Sequence, residues 1–128
     1  MNYLHIVAIL AIAQFFFFGV LVGKARGKYG IKAPAVSGHE GFDRAFRVQM
    51  NTLEQLVAFL PALFIAGLHW SSGWVAAIGA IYLIGRIVYW RSYVADPAKR
   101  GLGFLLTVLP TFALLAAGLV GAVLHPAV

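Results

Sequence analysis

The chain contains no cysteine, and its 128 residues include only four acids, Glu40, Asp43, Glu54 and Asp96. Without cysteine there is no disulfide, no thiolate metal site and no cysteine nucleophile, so any thiol chemistry must use a thiol carried by a ligand. Charged residues make up 11% of the chain against 62% hydrophobic, and the mean hydropathy is +0.88. Those proportions exclude an ordinary soluble domain. Long polar linkers, internal repeats and low-complexity tracts are missing too, which leaves a single domain over residues 1–128 as the expectation.

What the chain has instead is long apolar runs. A bilayer crossing takes about 20 apolar residues, and four segments offer that length, at about 3–22, 45–68, 74–93 and 102–124. The expected fold class is an all-α integral membrane protein, a bundle of four transmembrane helices. The first run is about twice as long as the apolar core of a signal peptide, nothing positive precedes it and no small-residue cleavage pattern follows, so it reads as a retained helix.

All ten Lys and Arg fall in two regions, Lys24, Arg26, Lys28, Lys32, Arg44 and Arg47, then Arg86, Arg91, Lys99 and Arg100. Four crossings put both regions on one side, which the positive-inside rule makes cytoplasmic. A cell inner membrane with both termini outside is therefore expected. Trp70 and Trp74 on one side, Tyr29 and Trp90 on the other, suit interfacial aromatic belts. The basic surface suits anionic headgroups, so membrane lipid is an expected partner and nucleic acid is not. His5, His39, His69 and His125 show no ligand spacing, and no metal is expected.

The polar residues inside the spans raise the functional question. The apolar run after Glu54, Leu56 to Leu68, is 13 residues, about 20 Å of helix against a hydrocarbon core of about 30 Å. Asn51 and Glu54 must therefore enter the membrane, and the same arithmetic carries Arg86 and Tyr89 inward on the third helix. Arg47, Asn51 and Glu54 share an arc of about 60° with Arg44 at its edge, and Arg86, Tyr89 and Tyr93 share another. A charge at mid-membrane costs about 2.5–3.5 kcal/mol on insertion scales, so the two stripes are expected to face a protein interior or wet cavity, and each other. Two readings stay open. In one, Glu54 pairs with Arg47 or Arg86 and Asn51 bridges helices as a structural clamp. In the other, Arg44, Arg47, Arg86 and Arg100 outnumber the single acid among them, and the surplus takes an anionic ligand, with arginine's planar fork on its carboxylates and Glu54 on an ammonium.

The stretches "FDRAFRVQMNTLEQ" and "GRIVYWRSYVADPAKRGLG" carry R-x-x-x-N-x-x-E at Arg47, Asn51 and Glu54, and a second spaced pattern at Arg86, Tyr89, Tyr93 and Arg100. In both, and in hydropathy along its whole length, the chain resembles the membrane-associated proteins in eicosanoid and glutathione metabolism (MAPEG), in particular the microsomal glutathione transferases. The resemblance implies a homotrimer that binds glutathione as co-substrate between subunits near the cytoplasmic side. It implies that Arg47, Asn51, Glu54, Arg86, Tyr89 and Tyr93 hold the peptide from one subunit, with Arg26 and Gln49 reaching in from the next; Lys24 is the rival of Arg26 in that basic loop. Arg100 would be the catalytic arginine, stabilising the thiolate by its permanent charge rather than acting as a base. Gln55 stands where leukotriene C4 synthase has a tyrosine, which turns the expectation away from leukotriene chemistry.

The implied function is a membrane-bound glutathione transferase acting on lipophilic electrophiles, with glutathione-dependent peroxidase activity sharing the same thiolate. The alternative is a non-catalytic glutathione- or lipid-binding scaffold of the same family; Arg100 together with both tyrosines counts against it. A four-helix multidrug transporter is disfavoured because no acid occurs from Tyr3 to Val22.

Overall fold

The computed structural model describes residues 1–124, so His125 lies outside the described residues. It contains four long helices, α1 (Tyr3–Tyr29), α2 (Glu40–His69), α3 (Ser72–Ala95) and α4 (Gly101–Leu124), with one 3-10 turn at Pro97–Lys99 and no strand among the described residues. Each of the four is long and apolar enough to cross a membrane. The protein is thus an all-α, multi-pass integral membrane protein.

The helices run past the apolar segments at the charged end of the bundle. α1 continues through Lys24–Tyr29 and stops at Gly30, whose φ of 69° lies in the left-handed region that glycine enters without a Cβ penalty. α2 begins at Glu40, where the His39 imidazole accepts from the Gly41 N–H and two acids, Glu40 and Asp43, oppose the positive end of the helix dipole. Apolar length reports only the part of a helix inside hydrocarbon, whereas the backbone ladder continues into the interface until a cap ends it. α3 ends before Pro97, and the Asp96 carboxylate accepts from the Ala98 N–H to cap the 3-10 turn. Pro61 and Pro110 both sit inside continuous helices.

The core gathers Ala11 of α1, Phe59, Leu63 and Ala66 of α2, Tyr82 of α3 and Leu114 of α4, with Phe59 stacked on Tyr82 at 3.8 Å between ring centroids. Outward-facing side chains such as Ile9, Phe16, Val57 and Leu119 are apolar and exposed, which carries no aqueous penalty when the surrounding solvent is lipid. α3 and α4 pack closely because small residues let their backbones meet. A Cβ on Gly85 would lie 2.6 Å from the Leu106 carbonyl carbon, and one on Gly103 would overlap the Tyr89 backbone. That second contact places Tyr89 directly against the first turn of α4.

Candidate functional site

At the charged end of the bundle α2, α3 and the start of α4 enclose a cavity of about 370 Å³ lined by Arg47, Asn51, Tyr89, Tyr93, Arg100 and Phe104. Two members of each polar stripe, Arg47 with Asn51 and Tyr89 with Tyr93, therefore face a common space. Arg47 and Asn51 are one helical turn apart, Tyr89 and Tyr93 likewise, and Arg100 precedes α4 with Phe104 one turn along it. Phe104 was not expected from the motifs; its spacing of four from Arg100 is the signal that places it on the same face.

The first stripe is internally paired. Arg47 Nη2 lies 3.2 Å from Glu54 Oε1, and Asn51 Nδ2 donates to the same carboxylate oxygen at 3.5 Å, a long and weak bond. The Glu54 side chain is 57% exposed and does not itself line the cavity; it meets the site through Arg47 and Asn51. Asn51 Oδ1 is buried with no protein partner, an acceptor that favours an incoming N–H or O–H donor. Across the space Tyr89 and Tyr93 stack with centroids 5.5 Å apart and an interplanar angle of 14°. Arg100 is exposed, and Nη1 donates to the Pro97 carbonyl at 2.9 Å, which leaves the rest of its fork open.

Arg86 takes a different place from the one expected. It is 0% exposed and does not line the cavity. Its Nη2 donates to Thr52 Oγ1 at 2.8 Å and its Nη1 to Thr107 Oγ1 at 3.3 Å, tying α3 to α2 and α4. Its Cζ lies 4.3 Å from the Tyr89 ring centroid, so the ring stands between the guanidinium and the cavity. Glu54, its other expected partner, pairs with Arg47 instead. Thr52 and Thr107 escaped the sequence reading because a threonine in a helix has no distinctive spacing; adjacency to Asn51 and a separation of seven from Arg100 are the only hints.

Arg44 leaves the cationic surplus as well. It pairs with Glu40, and its Nη1 donates to the Val94 and Ala95 carbonyls at 3.0 and 3.2 Å, satisfying the open end of α3. Arg26 donates to the Ala35 carbonyl at 2.7 Å and lies over the Phe42 ring, while the Gln49 amide lies against α1, where a Cβ on Gly19 would meet its Nε2 at 2.7 Å. Neither lines the cavity of its own chain. Lys24 is exposed on the same helix. A second cavity, of about 450 Å³ and almost wholly apolar, runs between α1 and α3 past Phe17, Ile87 and Trp90, with Phe17 edge-on to Trp90 at 5.4 Å.

Residues 4–120 match the model of the MAPEG family. Microsomal glutathione S-transferase 2 of Homo sapiens is 37% identical over 102 residues, covering 80% of this chain and 69% of that protein. Its Bos taurus namesake is 34% identical over 114 residues, 89% of this chain and 78% of the relative. An uncharacterised protein of Synechocystis is 44% identical over 98 residues, 77% of this chain and 72% of its own length. Leukotriene C4 synthase of Mus musculus is 29% identical over 109 residues, 85% of this chain and 73% of that enzyme.

Proposed function

The chain belongs to the MAPEG family, and from that membership and the cavity at the charged end of the bundle we propose that it is a membrane-bound glutathione transferase. The observation that carries the reading is the meeting of Arg47, Asn51, Tyr89 and Tyr93 with a half-free Arg100 around one polar space. Glutathione has two carboxylates, an ammonium, two amides and a thiol. Arg47 offers its fork to a carboxylate, Glu54 offers its second oxygen to the ammonium, and Asn51 Oδ1 takes an amide N–H that the protein itself does not supply.

Arg100 then acts on sulfur. A free thiol ionises near pH 8.5, and a permanent guanidinium charge beside it favours the thiolate. The thiol proton leaves to water. The thiolate attacks an electrophilic carbon, a C–S bond forms, and the leaving group departs or a strained ring opens. Phe104 lines the cavity with an apolar ring, a surface that suits a lipophilic electrophile. The same thiolate attacking the outer oxygen of a lipid hydroperoxide gives a lipid alcohol and glutathione sulfenic acid, which a second glutathione converts to disulfide and water. Peroxidase activity is thus a second use of the same site.

We assign Arg26 and Gln49 to the site of a neighbouring copy in a homotrimer, a reading supported by their absence from the cavity of their own chain, where they lie against Phe42 and Gly19 instead. The grouping of all ten Lys and Arg at one end supports a cytoplasmic site with both termini outside the inner membrane; reporter tags on both termini should be accessible from outside, and a cytoplasmic C-terminal signal would overturn this orientation. Function is tested by glutathione binding in detergent, followed by ultraviolet thiolate absorbance and turnover with a halonitrobenzene and with a lipid hydroperoxide. Binding without thiolate and without turnover would instead identify a glutathione-binding scaffold.

A further inference from the structure

Arg86 is the one fully buried charged side chain among the described residues. It lies nine residues before the end of α3, about 13 Å along the helix, on the stretch that the short apolar run of α3 draws into the hydrocarbon. A guanidinium so placed is ordinarily paired with a carboxylate. None of the chain's four acids is available to it. Glu40 holds Arg44, Glu54 holds Arg47, Asp43 accepts from the Gly38 N–H and Asp96 from the Ala98 N–H.

Two neutral hydroxyls take the place of an acid. Thr52 donates its hydrogen to the Val48 carbonyl and Thr107 to the Gly103 carbonyl, both at 2.8 Å, which turns their lone pairs toward Arg86. The arginine is held firmly and its Nε has no partner, yet its charge is uncompensated. Among the described residues no other element compensates it. α1 has no acid or base between His5 and Lys24, and α4 has none from Gly101 to Leu124. On its own helix the ionisable neighbours are Tyr82 and Tyr89. On α2 they are Arg47 and Glu54, already paired at the cavity.

An uncompensated charge in a poorly polarisable interior acts over several ångströms, and the Tyr89 ring both lies against the Arg86 guanidinium and lines the polar cavity. We infer that Arg86 is a positioning residue whose missing counter-ion is the ligand's thiolate: it holds Tyr89 in the cavity wall and stabilises the anion through the ring, without touching it. This inference rests on the reading of the cavity as a glutathione site. Arg100 supplies the contact charge at the rim, and Arg86 supplies a fixed charge that solvent does not screen.

The test is a pH titration of the bound thiolate's absorbance in wild type, Arg86→Gln, Arg86→Lys and Thr107→Asp, each reconstituted in lipid nanodiscs. Loss of the charge in Arg86→Gln should raise the titration midpoint by about one unit, a roughly tenfold lower thiolate fraction at a pH well below both midpoints. Arg86→Lys should stay near the wild-type midpoint because the charge remains. Thr107→Asp keeps the arginine but gives it a counter-ion, so it should shift the midpoint upward like Arg86→Gln; it also carries the test if the glutamine variant does not fold. A purely structural role predicts lower melting temperatures with every midpoint unchanged, and that result in folded Arg86→Gln or Thr107→Asp overturns the inference. Wild-type protein that binds no glutathione would instead remove the site reading, and this inference with it.

Discussion

Replacing Arg100 by alanine separates catalysis from folding, because the structure ties this side chain down so lightly. It is exposed and makes one hydrogen bond, to the Pro97 carbonyl of its own turn. A solvent-exposed bond of this kind contributes about 1 kcal/mol or less, so the melting temperature should change by only a few degrees. The effect on sulfur is larger. A guanidinium about 4 Å from a thiolate is worth about 4 kcal/mol at the effective dielectric of a protein surface and about 1 kcal/mol in bulk water. An exposed arginine at a cavity rim lies between those limits, which corresponds to roughly one to three units in the thiol's pKa and, for a thiol that returns to about 8.5, a loss of thiolate of about 8- to 30-fold at pH 7. Glutathione affinity should hold up better, since Arg47, Asn51 and Glu54 remain. The assay is thiolate absorbance with single-turnover conjugation, normalised to bound glutathione. Arg100→Lys should recover part of the signal, keeping the charge without the planar fork. Normal thiolate formation in a well-folded Arg100→Ala protein would refute the catalytic assignment.

Other substitutions probe the remaining parts of the site. On the proposed reading Arg47→Ala and Glu54→Gln each remove a charged ligand contact, so glutathione Kd by calorimetry should rise about 10- to 100-fold, as expected for a charge-assisted bond, while kcat at saturation is largely kept; an unchanged Kd would place the peptide elsewhere. Gly103→Ala puts a Cβ into the Tyr89 backbone, and overpacking of this kind costs about 1–3 kcal/mol, more than the ~1 kcal/mol that alanine adds to a helix. Its thermal midpoint and glutathione affinity should fall together, and a stabilised variant would contradict the packing described here. If Arg26 and Gln49 serve a neighbouring subunit, mixed trimers of Arg26→Ala and Arg47→Ala protomers should regain some intact sites, seen as turnover above either homotrimer; strictly additive activities, or a fully active monomer in native mass spectrometry, would exclude a shared site.

Much of the site was legible because helical spacing is local. The positions of Arg47, Asn51, Tyr89 and Tyr93 on two narrow arcs follow from 3.6 residues per turn, and the shortness of the apolar runs carries Asn51 and Tyr89 inward. Phe104 was legible in the same way, one turn beyond Arg100, but an apolar residue in an apolar helix attracts no notice. The helix ends were less legible. Caps at Gly30 and His39 extend α1 and α2 beyond the hydrocarbon, and a hydropathy profile does not register them.

Composition and periodicity alone determined the membrane class, the four crossings, the end at which charge collects and the faces that carry polar groups, since each depends on one segment and its solvent. Only the tertiary structure decided the pairing. Glu54 had two arginines within plausible reach and took Arg47; Arg44 turned to the open carbonyls of α3; Arg86 went behind Tyr89 to two threonines. Those outcomes depend on how closely and at what angle α2, α3 and α4 meet. That approach is set by glycines at 85 and 103, which let backbones touch, and no spacing within a single helix encodes which side chain of the next helix will stand opposite.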